Sequence, residues 1–130
     1  MKKFLLFTII LILIDQITKK LIPGTKNFGA AFGILQGYNI LFIILTIVVL
    51  FVLFHYRKEF KNLGYYGALL ITSGAIGNLI DRVFLGFVRD FIDFKIWPSF
   101  NLADSFNTIG VILLVIFLLK NDNKESKAKK

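Results

Sequence analysis

The chain has 130 residues, room for one domain, and 56% of them are hydrophobic. That exceeds the roughly 45–50% apolar share of soluble domains. A formal charge of +8 would suggest nucleic acid in a soluble protein, but no separate basic domain carries it. The basic residues flank apolar runs, as they do beside membrane spans. With no cysteine and one histidine, disulfides, a thiol nucleophile and lipidation of the chain itself are excluded, and a zinc protease is disfavoured. No metal or cofactor is expected.

The mean hydropathy of +0.73 allows about four spans of roughly 20 residues each. The first covers about residues 4–22. It begins like a signal peptide, but Asp15-Gln16 follows the apolar run and no small-x-small site appears, so an uncleaved span is expected. Asp15 and Lys19 are i, i+4 on one face. They form either an interfacial salt bridge of little energetic weight or part of a site. Pro23-Gly24 ends the helix. Residues 27–33 then alternate small residues with Phe, which suits short strands or a re-entrant segment lying close to other backbone.

The second span, about 38–56, is the cleanest; His55 at its end reads as a solvated flank beside Arg57 and Lys58. The third, about 63–80, is dense in Gly, Ala and Ser, which lets helices pack tightly in lipid. Asn78, Asp81 and Arg82 close it as a bracing network, with Arg82 the expected partner of Asp81. Residues 83–99 mix apolar and charged positions and read as a short strand or half-helix at the interface, anchored by Trp97-Pro98. The fourth span, about 101–119, carries Asn101, Asp104, Ser105 and Asn107 in its first two turns. Residues 121–130 read as a disordered basic cytoplasmic tail.

The expected architecture is therefore an all-α membrane protein. It has four transmembrane helices in a single polytopic domain, residues 1–120, plus a small extracytoplasmic β-like or half-helix segment. With both termini in the cytoplasm, Lys2, Lys3, Arg57, Lys58, Lys61, Lys120, Lys124, Lys127, Lys129 and Lys130 lie inside. Lys19, Lys20, Lys26, Arg82, Arg89 and Lys95 lie outside, the smaller set, as the positive-inside rule requires. This arrangement gathers Asp15, Asn27, Asn78, Asp81, Arg82, Asp90, Asn101 and Asp104 at one outer face. Ionisable groups at membrane depth mark functional sites. Two neighbouring carboxylates, Asp90 and Asp104, can share a proton and activate water. A small ion- or proton-coupled transport subunit is the alternative, but a relay spreads its carboxylates through the membrane instead of clustering them.

Five motifs occur in order over residues 15–105: Asp15-Gln16-Ile17-Thr18-Lys19, Asn27-Phe28-Gly29-Ala30-Ala31-Phe32, Gly77-Asn78-Leu79-Ile80-Asp81-Arg82, Gly86-Phe87-Val88-Arg89-Asp90-Phe91 and Phe100-Asn101-Leu102-Ala103-Asp104-Ser105. Together they resemble the motif set of lipoprotein signal peptidase, or signal peptidase II. The resemblance implies an aspartyl endopeptidase of the bacterial inner membrane that cuts prolipoproteins just before a diacylglyceryl-modified cysteine. It implies Asp90 and Asp104 as the catalytic pair, with Asn78, Arg82 and Asn101 supporting the site. Asn27 with Gly29 would border the substrate groove, and Asp15 with Lys19 would form a polar pair at the end of the first helix. The implied partners are a lipid-modified prolipoprotein and membrane lipid, not nucleic acid, and the simplest state is a monomer. The segment between Asp90 and Asp104 is shorter than in many relatives.

Asp93 and Asp81 are rivals for the pair; an interfacial charge matched by Lys95 or Lys26 is the simpler reading of Asp93, and a structural ion pair that of Asp81. Arg89 occupies a position that is often apolar in relatives. Strand alternation turns it to the face opposite Asp90. Phe28, Phe32, Phe87 and Trp97 are candidate walls of an apolar cleft.

Overall fold

A computed structural model describes residues 2–29 and 35–128, with side chains as far as residue 122. Phe32 lies outside the described residues. The elements run α1 (Lys2–Leu21), β1 (Thr25–Asn27), α2 (Asn39–His55), α3 (Leu63–Leu85), β2 (Val88–Asp90) and α4 (Leu102–Ala128).

Helix α3 is the spine, packing against α1, α2 and α4. Its buried residues are largely small: Gly64, Gly67, Ala68, Ser73, Gly74, Ala75 and Gly77. The α3–α4 crossing is tight because neither helix presents a side chain there. A Cβ on Gly67 would lie 2.8 Å from the Gly110 carbonyl oxygen, and one on Gly110 would lie 2.9 Å from that of Gly67. Small-residue contacts of this kind let backbones approach where lipid supplies no hydrophobic drive between helices. Leu53, Ala68 and Ile71 form the buried apolar cluster, with Phe4, Phe60 and Leu114 against it.

The apolar residues not used this way face outward. Ile40 is 74% exposed and Phe51 66%, which water would not tolerate over so broad a surface. Leu63–Leu85 and Leu102–Asp122 are long and apolar enough to cross a membrane, and Asn39–His55 is apolar but shorter.

Two boundaries differ from expectation. Helix α3 runs to Leu85 instead of stopping at 80, because Asn78, Asp81 and Arg82 find partners on their own face and need not end the helix. Helix α4 continues to Ala128, so most of the segment expected to be a disordered tail is helical. Once a helix is nucleated, each added residue gains a bond at little further cost.

The expected β-like segment is a two-stranded antiparallel pair, Thr25↔Asp90, Lys26↔Arg89 and Asn27↔Val88. Gly86 sets up β2: it caps α3 in the left-handed conformation at φ 80°, where a Cβ would be strained. An isolated bridge, Ile92↔Phe100, then closes residues 93–99 into a loop and delivers the chain to the start of α4.

Candidate active site

Asn101 joins the two carboxylates. Its Nδ2 donates to Asp90 Oδ1 at 2.7 Å, and its backbone N–H donates to Asp104 Oδ2 at 3.1 Å. The second bond is half of a capping box. Asn101 is the N-cap of α4, and its Oδ1 accepts the Asp104 N–H at 3.0 Å. The other carboxylate oxygens are also held. Asn27 Nδ2 donates to Asp90 Oδ2 at 2.8 Å, reaching diagonally across the strand pair, and Asn78 Nδ2 donates to Asp104 Oδ1 at 2.8 Å. Asn101 Nδ2 also donates to Asn78 Oδ1 at 3.1 Å, so three amides tie strand and helices into one frame.

Asp90 is 2% exposed. Its pKa is raised to about 6: burial is the main cause and the nearby Asp104 charge adds to it, against the hydrogen bonds from Asn27 and Asn101.

A second, fully buried layer lies beneath. Lys19 Nζ is 2.8 Å from Asp15 Oδ2 and 3.7 Å from Asp81 Oδ2, with no side-chain exposure on any of the three. It also donates to Asn78 Oδ1 at 2.9 Å. Asp15 Oδ1 accepts the Ala103 N–H at 2.9 Å, so α1 satisfies one of the donors left open at the N-terminus of α4. The pair expected to sit at the interface is instead buried and joins α1, α3 and α4. Asp81 is gripped by Arg89, not Arg82: the Arg89 Nη2–Asp81 Oδ1 distance is 2.6 Å, with Nε and the backbone N–H on Oδ2 at 3.1 and 3.0 Å. These hydrogen bonds raise the Arg89 pKa. Arg82 turns elsewhere, donating to the Gly29 carbonyl at 3.0 Å with its guanidinium 4.6 Å from the Phe42 ring centroid.

Asp90 and Asp104 both line an open cavity of about 740 Å³, with Asn27, Gly29, Phe42, Asn78, Arg82, Trp97, Phe100 and Asn107 among its other walls. Its lining combines two carboxyls held by amide donors, one guanidinium and a largely apolar rim. Among the described residues no group of His, Cys, Asp or Glu has the arrangement of a metal site.

Residues 22–120 match the family model described as signal peptidase (SPase) II. The chain belongs to the signal peptidase II family. It is 41% identical to the lipoprotein signal peptidase of Halothermothrix orenii, over 88% of this chain and 93% of that one. It is 39% identical to that of Staphylococcus aureus strain MRSA252, over 97% and 94%. Its fold is similar to a solved bacterial membrane enzyme with a TM-score of 0.86 at 35% identity, covering 95% of this chain and 92% of that one. A second solved bacterial membrane enzyme gives 0.80 at 36% identity. As a signal peptidase II the protein is a peptidase and a membrane enzyme.

Within this signal peptidase II fold, Asn27, Gly29, Asn78, Arg82, Asp90 and Asp104 surround one cavity, with Asn101 buried behind the two carboxyls it bonds, while Asp15, Lys19 and Asp81 form the layer beneath. Asp93 is outside both; it pairs with Lys95 at 2.7 Å on the surface. Phe28 and Phe87 pack on each other, rings 5.4 Å apart, and do not line the cavity; Phe42 and Phe100 take that place. Gln16 escaped the sequence reading as a separate contributor. It accepts from Arg89 Nη2 at 2.8 Å and donates to the Gly77 carbonyl at 2.9 Å. Its position beside Asp15, at the polar end of an apolar helix, was the available signal.

Proposed function

We propose that the protein is an aspartyl endopeptidase that removes the signal peptide of diacylglyceryl-modified prolipoproteins, cutting just before the lipidated cysteine. Asp90 and Asp104 are its catalytic pair. The observation that supports this reading is Asn101, one residue bonded to both carboxyls.

Charge supports the same reading. The polar cluster, part buried and part lining the cavity, contains four carboxyls (Asp15, Asp81, Asp90 and Asp104) and three cations (Lys19, Arg82 and Arg89). One proton shared by Asp90 and Asp104 makes the cluster neutral, the favoured state in a low-dielectric site. Lys19 and Arg89 are committed to Asp15 and Asp81, which leaves the dyad to hold that proton.

The pair acts as one unit. The ionised carboxylate takes a proton from water as the water oxygen bonds the scissile carbonyl carbon. The protonated partner hydrogen-bonds the carbonyl oxygen and gives it its proton. The first carboxyl, now protonated, then protonates the leaving nitrogen as the C–N bond breaks, while the second, now ionised, takes back a hydroxyl proton as the product carboxyl forms. Asn27, Asn78 and Asn101 hold the carboxyls at fixed positions throughout. Arg82 lines the same cavity, where it orients substrate carbonyls.

All four helices cross the membrane, both termini are cytoplasmic, and the dyad lies near the outer face of the cytoplasmic membrane in a monomer. The basic-residue distribution and the clustering of every polar site group at one end of the bundle support this orientation. They also weigh against a proton-coupled transport subunit, whose carboxylates would be distributed in depth. The substrate's acyl chains stay in lipid beside the open cavity, whose apolar walls include Phe42, Trp97 and Phe100. The test is cleavage of a lipidated precursor by purified protein beside Asp90→Asn and Asp104→Asn. Both variants should insert and fold but lose at least about 10³-fold in turnover. Cleavage by both at the parent's rate would remove the dyad assignment.

A further inference from the structure

We propose that Asn107 is a substrate-binding residue whose carboxamide hydrogen-bonds the substrate main chain one or two peptide groups before the cut bond. This rests on the peptidase reading and orientation above.

Asn107 is three residues after Asp104 on α4, on the same face and about 4.5 Å further along the axis. Both line the cavity. The neighbouring hydroxyls of this turn are satisfied by their own helix: Ser105 Oγ donates to the Asn101 carbonyl at 3.2 Å, and Thr108 Oγ1 to that of Asp104 at 2.9 Å. Asn107 Oδ1 is buried and has no hydrogen-bond partner. The space it occupies is made by Gly74 of α3, where a Cβ would lie 2.5 Å from that oxygen. A buried amide oxygen left unpaired is destabilising, a cost that leucine at the same position would avoid.

A carboxamide offers both donors and an acceptor. Its natural complement is a peptide group, which presents one of each. In the proposed orientation α4 runs inward from the outer face. The signal peptide also runs inward from its cleavage site towards its own amino terminus. A group 4.5 Å deeper than Asp104 therefore meets the chain preceding the cut. An extended substrate advances about 3.3 Å per residue, so the contact falls one or two peptide groups away.

The test uses full-length protein, a diacylglyceryl-modified precursor peptide, and two versions of that peptide in which one or the other of these peptide groups is replaced by an ester. The parent should cut at least one ester peptide with kcat/KM about tenfold lower, the value of one hydrogen bond. Asn107→Leu should cut the all-amide peptide about tenfold less well than the parent, no longer distinguish ester from amide, and keep or raise the Tm. A role in packing alone would instead lower the Tm and leave the ester discrimination intact. Either that result or equal cutting of all three peptides by the parent overturns the proposal; the second needs no variant to fold. No cleavage of the all-amide peptide by the parent would remove the peptidase reading itself, and this inference with it.

Discussion

Arg89 and Asp90 are neighbours in β2, yet their side chains join different networks. Arg89 closes on Asp81 with Nη2 2.6 Å from Oδ1, while Asp90 is held by Asn27 and Asn101 at 2.8 and 2.7 Å. Strand alternation separates them. The guanidinium therefore anchors the strand that carries Asp90 without neutralising the Asp90 carboxyl.

Arg89→Met should lower stability by about 2–3 kcal/mol, because Asp81 keeps only the backbone N–H of residue 89 at 3.0 Å and Lys19 at 3.7 Å, and a buried carboxylate loses its charged donors. Asp81→Asn in the same chain should recover part of the loss, since it removes the stranded charge. Thermal unfolding of the two single variants and the double in one detergent measures the coupling. Additive losses would mean that the ion pair does not anchor the strand.

The raised pKa of Asp90, about 6, makes activity and stability fall together as pH rises. The folded state binds this proton more tightly than the unfolded chain, whose carboxyl has the ordinary value of 3.8. The contribution of Asp90 to stability is therefore fully present below about 3.8, and is lost as pH rises through about 6; it amounts to roughly 3 kcal/mol. The proposed mechanism needs one protonated and one ionised carboxyl, and Asp90 titrates beside an already charged Asp104, so the shared proton is lost and kcat/KM should fall as pH rises through about 6. A pH–rate profile alongside Tm measurements tests this, with Asp90→Asn losing the stability trend. A kcat/KM that rises with pH through this range would refute it.

Asn101 has two separable duties. Asn101→Ser keeps an oxygen to cap α4, so stability should change by no more than about 0.5 kcal/mol. It removes the Nδ2 bonds to Asp90 and Asn78, however, and turnover should fall on the order of 10²-fold as the carboxyls lose their fixed spacing. Asn101→Leu should lose the turnover and also about 1–2 kcal/mol from the missing cap. Equal stability losses in the two variants would show that capping and bridging are not distinct.

The sequence made the helices legible because apolar runs and Pro23-Gly24 punctuate the chain, and it pointed to the proposed dyad because Asp90 and Asp104 sit in recognisable motifs. It could not choose among partners. Asp81 is followed by Arg82 but pairs with Arg89, because residues adjacent on a helix diverge by about 100° and the strand brings Arg89 back over α3. The Asp15–Lys19 pair has the i, i+4 spacing of a surface salt bridge. Its burial depends on where α4 begins in space, through the Ala103 N–H. Aromatic walls were the least legible, since Phe42 and Phe28 differ in no local feature; which one lines the cavity follows from how α2 crosses α3.

A close backbone contact between α3 and α4 gives the last prediction. Gly67→Ala would set its Cβ 2.8 Å from the Gly110 carbonyl oxygen and 2.9 Å from the Leu114 nitrogen. Both are backbone atoms of a rigid helix and cannot rotate away, so the helices must separate, at a cost of about 1–3 kcal/mol. Gly110→Ala strains the same contact from the other side, with its Cβ 2.9 Å from the Gly67 carbonyl oxygen. The double variant should be less destabilised than the sum of the singles, because one separation accommodates both methyls. Helix unfolding followed by circular dichroism in lipid nanodiscs measures each step. Strictly additive losses, or none, would mean that the two helices are not held together at this pair of glycines.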